Sequence, residues 1–236
     1  MSPTTYALVP GAGGDASYWD LVVSLLRERG EDAVAVDLPA GDDTAGWSAY
    51  ADAIVGAVGD GPNVVVVAQS LAGFSAPIAC DRLDVDRIVL LNAMIPRPGE
   101  TGAEWWPNTG QPDAMREHLA AIGLPPETAE DDVLVYFHDV PADVRAAAFE
   151  RGEPQQSWTP MEEPWPLDAW PDVPTRVLAG RDDRLFPVGF QRRVARDRLG
   201  IEIEEVDGGH LVALSRPDEL VERLEDDRPG STGITR

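Results

Sequence analysis

The stretch Asn63-Val64-Val65-Val66-Val67-Ala68-Gln69-Ser70-Leu71-Ala72-Gly73 restricts the fold more than any other part of the chain. Four consecutive valines leave no polar face. The strand they predict is therefore covered on both sides, as in a parallel sheet. An apolar helical pattern follows directly after Ser70. A serine among small residues at a strand-to-helix junction has the form of a nucleophile elbow. The turn there is so tight that large side chains two places before or after the serine would collide. Glycine is the usual occupant, and Ala68 and Ala72, the smallest alternatives, stand in its place. A serine after a strand also serves as a plain helix N-cap, so a chemical reading needs partners elsewhere in the chain.

A serine hydroxyl is a poor nucleophile until a base takes its proton, and the base needs an acid to orient it. Three histidines are available: His118, His138 and His210. His210 lies in Val206-Asp207-Gly208-Gly209-His210-Leu211, after an alternating strand pattern from Ile201 to Val206. Its two glycines let the loop bend sharply and approach other backbone. Between Ser70 and His210, the buried-strand pattern Arg176 to Gly180 runs into Arg181-Asp182-Asp183-Arg184-Leu185-Phe186-Pro187, which makes Asp182 and Asp183 both candidates for the acid. Asn92, after the strand pattern Arg87 to Leu91, offers no carboxylate.

Four further motifs stand in order along the chain. They are Leu8-Val9-Pro10-Gly11-Ala12-Gly13-Gly14, Val36-Asp37-Leu38-Pro39-Ala40, the loop from Gly180 through Asp183 to Pro187, and Gly208-Gly209-His210. With the serine turn and the chain order Ser, Asp, His, they resemble the α/β-hydrolase superfamily, of its small, capped serine hydrolase or esterase type. The resemblance covers nearly the whole chain. It departs from the family's first loop at Pro10, where a histidine is usual. The resemblance implies Ser70 as nucleophile, His210 as base and Asp183, over Asp182, as acid. It also implies an oxyanion hole made by the backbone N–H groups of Ala12 and Leu71.

Strand and helix patterns alternate, as in a parallel sheet with right-handed crossovers. Strands are expected at Tyr6–Val9, Asp32–Asp37, Asn63–Ala68, Arg87–Leu91, Thr175–Ala179 and Ile201–Val206, and helices at Ser17–Arg29, Trp47–Val58, Leu71–Leu83, Gly189–Leu199 and Arg216–Glu225. Pro77 should kink the third helix or shift its start. The expected fold class is α/β: a mostly parallel six-stranded sheet flanked by helices, with a helical cap insert. Residues 1–94 and 172–228 form its core, and 229–236, in the polar stretch from Asp226 to Arg236, a frayed tail. By resemblance, 95–171 is a cap over the site. It holds five of the seven tryptophans, Trp105, Trp106, Trp158, Trp165 and Trp170, and two helical patterns near Asp113–Ile122 and Ala142–Arg151. Trp105, Trp106 and His138 are its candidate substrate contacts. Each tryptophan could equally be the cap's own core, and His138 a structural residue.

The chain carries 42 acidic residues against 19 basic ones, a net charge of −23. Such a surface repels nucleic acid and anionic membranes, so neither is expected as a partner. High-salt adaptation and a coding bias toward Arg, Ala, Gly, Pro and Asp both account for it. Every basic residue is arginine, which excludes lysine Schiff-base chemistry. No apolar run approaches the ~18 residues of a membrane helix. The first strand pattern begins almost at the N-terminus, leaving no room for a signal peptide. The single Cys80 precludes an internal disulfide and fits a reducing, cytoplasmic setting. Scattered histidines offer no metal-ligand spacing, and no cofactor is implied. What the resemblance implies is a serine hydrolase that cleaves an ester, thioester or lactone of a small to medium apolar compound. A lyase of the hydroxynitrile-lyase type shares the fold and triad, but members of that kind use an active-site lysine, which this chain lacks. A non-catalytic ligand-binding protein of the same fold is the third reading, against which the complete set of triad residues argues.

Overall fold

The computed structural model describes residues 3–59 and 63–226. Its six strands are β1 (Thr5–Val9), β2 (Asp32–Ala35), β3 (Val64–Gln69), β4 (Val85–Leu91), β5 (Thr175–Gly180) and β6 (Glu204–Val206). They form one sheet in the order β2-β1-β3-β4-β5-β6, and each pairing is parallel. This is the six-stranded α/β sheet that the sequence predicts. The chain goes from β1 outward to β2 and then returns past β1 to β3. The loops after β1 and β3 therefore part on opposite sides of a switch point, where open α/β sheets bind their ligands.

Helices α1 (Asp20–Glu28), α2 (Trp47–Val58) and α3 (Ala72–Cys80) follow the first three strands. Between β4 and β5 lie α4 (Gly102–Thr109), α5 (Gln111–Ala121), α6 (Asp132–Tyr136), α7 (Ala142–Glu150) and α8 (Thr159–Glu162). After β5 come α9 (Val188–Leu199), α10 (Val212–Ser215) and α11 (Pro217–Glu225). The four valines of β3 are shared between two cores. Val64 and Val66 join a cluster with Trp47 and Ile54 of α2, Phe74 of α3 and Phe190 of α9. Val65 and Val67 join another with Val22 and Leu26 of α1 and Leu220 and Leu224 of α11. Alternation along a strand sends successive side chains to opposite faces, so a strand covered on both sides has to be apolar throughout.

Several boundaries differ from the sequence pattern. The first helix opens with a 3-10 turn, Ala16–Trp19, before α1. The third starts at Ala72 and ends at Cys80, with Pro77 inside it. The last strand shortens to Glu204–Val206 because only those residues pair with β5; Ile201 and Ile203 pack on the core without strand pairing. Between β4 and β5 two helical patterns were visible and five α-helices form. Helix α4 escaped the apolar periodicity, although Thr101 and Glu104 form a reciprocal capping box at its start. The segment just before α4 is fastened to α9, where Arg198 and Glu100 form a buried ion pair. Burial pushes the Glu100 carboxyl up, but hydrogen bonds from Arg198 and Asn108 outweigh that and leave it below its ordinary value. The tail expected at 229–236 lies outside the described residues. Among those described, no helix is long and apolar enough to cross a membrane.

Cys80 ends α3 inside the core, and burial pushes its thiol up to about 12. A thiol so placed is unreactive, because the thiolate is the nucleophile. Native protein should therefore resist iodoacetamide at neutral pH, and one thiol should titrate after unfolding in guanidinium. Fast labelling of the native protein would contradict this packing.

Candidate active site

The loop after β3 turns so sharply that Ser70 takes a φ of 51°, a conformation that non-glycine residues rarely adopt. Strain of this kind persists only where the surroundings hold it, and it gathers at functional sites. The sequence pattern put the tight spots at Ala68 and Ala72. The structure adds one at Gly73, where a β-carbon would collide with the backbone carbonyl of Met94. The Gly73 N–H also closes the turn on the Ser70 carbonyl, 3.1 Å away.

Three of the candidate residues meet at the carboxyl ends of the strands. His210 Nε2 lies 3.1 Å from Ser70 Oγ, and His210 Nδ1 lies 2.8 Å from Asp183 Oδ2. Asp183 and His210 are 0% and 2% exposed. The other carboxylate oxygen, Asp183 Oδ1, accepts from the N–H groups of Leu185 and Phe186, each at 2.9 Å. A buried carboxylate is tolerated when its lone pairs are matched in this way. Asp182 is exposed and takes no part in the relay. Tyr136 and Phe186 stand edge-on to the imidazole, with ring centroids 5.6 Å and 5.2 Å away.

Ser70, His210, Ala12 and Leu71 open into one cavity of about 790 Å³. The neighbouring amides of the first loop are engaged: Gly11 N–H donates to Gln69 Oε1 at 3.0 Å, and Gly13 N–H to Gln156 Oε1 at 2.9 Å. The N–H groups of Ala12 and Leu71 have no hydrogen-bond partner among the described residues. Trp106 lines the cavity, as do Met94, Val133, Phe137, Phe149 and Trp158. Trp105 does not. It is fully buried against Phe186 and Phe190, and its indole N–H donates to the Ile95 carbonyl at 3.0 Å. Adjacent residues of a helix point about 100° apart, so only one tryptophan of the pair can face the cavity. His138 is also off the cavity; its Nε2 lies 3.1 Å from the Asp182 carbonyl.

A family model described as "Alpha/beta hydrolase family" matches residues 7–223. The chain belongs to the alpha/beta hydrolase family. It is 28% identical over 237 residues to the alpha/beta hydrolase nvfD of Aspergillus novofumigatus (strain IBT 16806), covering 92% of this chain and 93% of that one. Among solved structures it is similar to polyneuridine aldehyde esterase, with a TM-score of 0.75 at 19% identity over 94% of this chain and 98% of that chain. It is likewise similar to a pyrethroid hydrolase from Sphingobium faniae JZ-2, with a TM-score of 0.72 at 22% identity over 94% and 96%.

Within this alpha/beta hydrolase, three buried carboxamides brace the loops, and sequence reading missed their part. Gln69 accepts from Gly11 and reaches toward the His210 carbonyl at 3.4 Å. Asn92, at a φ of 45°, donates to the carbonyls of Gly209 and His210 at 3.0 Å and 3.1 Å and accepts from Gly180 N–H at 2.6 Å. Gln191 of α9 donates to Asn92 Oδ1 and Asp183 Oδ2 at 3.1 Å and 3.3 Å. A carboxamide donates and accepts at once without adding charge, so this network sets no second carboxylate beside Asp183. The close approach also explains Gly180: a β-carbon there would sit 2.5 Å from the Gly209 carbonyl oxygen. Burial, with smaller pushes from Asp132 and Asp183, raises the Tyr136 hydroxyl to about 12. It therefore stays protonated at the cavity wall at neutral pH. Burial lowers His138 from its ordinary value, partly offset by Asp139.

Proposed function

We propose that this alpha/beta hydrolase is a serine carboxylic ester hydrolase that works through an acyl-enzyme on small to medium apolar substrates. The observation that carries the reading is the unbroken relay Ser70–His210–Asp183 at the wall of a cavity with two unengaged amides, Ala12 and Leu71. Ser70 Oγ attacks the acyl carbon while His210 Nε2 takes its proton. The oxyanion forms against the N–H groups of Ala12 and Leu71, where each such donor contributes about 3–4 kcal/mol to the transition state. His210 returns the proton to the leaving alcohol. Water then attacks the acyl carbon as His210 takes its proton, the Ser70 Oγ–acyl bond breaks to release the acid, and His210 returns the proton to Oγ. Asp183 holds the imidazole with its proton on Nδ1 and stabilises the imidazolium. Residues 95–171 act as the cap, since Trp106, Tyr136, Phe149 and Trp158 from this segment line the cavity.

The reading is tested with p-nitrophenyl esters of increasing acyl length, thioesters and lactones, with mass spectrometry of the trapped acyl-enzyme. Acylation of a residue other than Ser70 would overturn it. The two tryptophans separate binding from folding. Burying a methylene is worth about 0.8 kcal/mol, so kcat/KM should rise about four-fold per added carbon until the cavity is full. Trp106→Ala should flatten that series with little change toward an acetate. Trp105→Ala should instead lower stability by about 3–5 kcal/mol, the range for emptying a large aromatic site, read by urea unfolding. If Trp105→Ala changes chain-length preference and Trp106→Ala does not, the cavity wall is wrongly assigned.

A further inference from the structure

Residues 134–139, the end of α6 and the turn after it, meet both loops that carry the relay. The Arg184 guanidinium donates to the Leu134 carbonyl at 2.6 Å, and Tyr136 stands against His210. The next two side chains reach backbone. His138 Nε2 lies 3.1 Å from the Asp182 carbonyl oxygen, and Asp139 Oδ2 accepts from the Gly209 N–H at 2.8 Å. A carbonyl only accepts, so the proton of this neutral imidazole sits on Nε2. Asp182 and Gly209 are the residues immediately before Asp183 and His210. The contact is close: a β-carbon at Gly209 would lie 2.6 Å from His138 Nε2 and 2.8 Å from Asp139 Oδ1. Both side chains are nearly buried, at 10% and 12% exposure.

Beyond the strand ends the two loops are tied to each other by exposed ion pairs of Arg181 with Glu205 and Asp207 and by two backbone bonds. β5 and β6 pair over three positions, Leu178 to Gly180 against Glu204 to Val206. After that, Arg181 N–H reaches the Val206 carbonyl and Asp182 N–H the Gly208 carbonyl, each at 2.9 Å. Asn92 and Gln191 brace the loops from the sheet side. The adjoining pair His138–Asp139, just after α6, holds them as well.

We propose that His138 and Asp139 are positioning residues, a two-point clamp that sets the spacing of the acid and histidine loops and so keeps His210 within reach of Ser70. The inference rests on the serine-hydrolase reading above. Both residues act through backbone one position upstream of the relay, and neither touches substrate. The clamp also joins the cavity wall to the relay, because it directly follows the lining residues Tyr136 and Phe137.

The test compares wild type with His138→Ala, His138→Gln, Asp139→Ala and Asp139→Asn. For each, the rate of Ser70 labelling by a fluorophosphonate, kcat and KM on p-nitrophenyl acetate, and the melting temperature are measured. Displacing a reacting group by an ångström costs up to about 100-fold. The alanine variants should therefore lose ten- to about 100-fold in both kcat and labelling rate, with KM near the wild-type value. Asp139→Asn still accepts from Gly209, and His138→Gln still donates to Asp182, so both should regain most of the rate. Alanine variants that react at the wild-type rate overturn the clamp, even where they melt earlier. Conservative variants as slow as alanine, with wild-type melting, overturn it as well. Wild-type protein that neither labels nor hydrolyses overturns the serine-hydrolase reading itself, and the clamp with it.

Discussion

Ser70→Ala is expected to lower kcat by on the order of 10⁶-fold, the scale seen when the nucleophile is taken from residues that act as one unit. The same change should abolish fluorophosphonate labelling. Folding should survive, because only the hydroxyl oxygen is lost and its hydrogen-bond partner is His210 Nε2 at 3.1 Å. The strained φ of 51° at this position is held by the turn and not by the hydroxyl. The measurement is ester turnover at high enzyme concentration, with circular dichroism as the control for folding. Labelling that persists in the variant, at any residue, would remove Ser70 from the reaction.

The next largest effect is expected from Asp183→Asn, a fall in kcat of up to about 10⁴-fold. The structure shows why so small a change should matter. The oxygen Oδ1 is held by the N–H groups of Leu185 and Phe186, so an asparagine must keep its own oxygen on that side. Its NH₂ group then faces His210 Nδ1, where Asp183 Oδ2 now lies at 2.8 Å. The imidazole answers with the other tautomer, whose proton sits on Nε2, and it no longer accepts from Ser70. The side chain of Gln191 would also point its NH₂ at another NH₂. Asp182→Asn should be mild. Its carboxylate is exposed, and the bonds that Asp182 makes to Gly208 and His138 come from its backbone. Steady-state kinetics on both variants decide the matter, and a steep loss in Asp182→Asn beside a mild one in Asp183→Asn would reverse the assignment.

Local pattern carried a large share of the fold and the candidate site. The valines of β3 could only be a doubly covered strand, because an uninterrupted apolar run leaves no face for water. Gly208 and Gly209 marked a loop before His210 that approaches other backbone, and the Gly209 carbonyl does lie against Gly180. Ser70 and His210 were readable as candidates from residue type, loop context and chain order, which left Asp182 and Asp183 both open as the acid; the family resemblance pointed to Asp183.

Contacts between distant segments were not readable in this way. Gln69, Asn92 and Gln191 are ordinary polar residues in sequence; their meaning lies in which carbonyls and amides stand opposite them, and that is fixed by β3, β4 and α9 coming together. A further tight spot of the serine turn lies at Gly73, where the obstacle is the carbonyl of Met94, a residue that arrives from the segment after β4. Trp105 and Trp106 are identical in composition and adjacent in sequence. One lies in the core and the other on the cavity because a helix turns its side chains by about 100° per residue, and the direction of that turn was set by where α4 docks. The sequence by itself determined the strands of the sheet to within a few residues, the helices that flank them and which residues have the chemistry to react. The tertiary structure decided what each polar group faces, since a hydrogen bond depends on distances between segments that no local periodicity encodes.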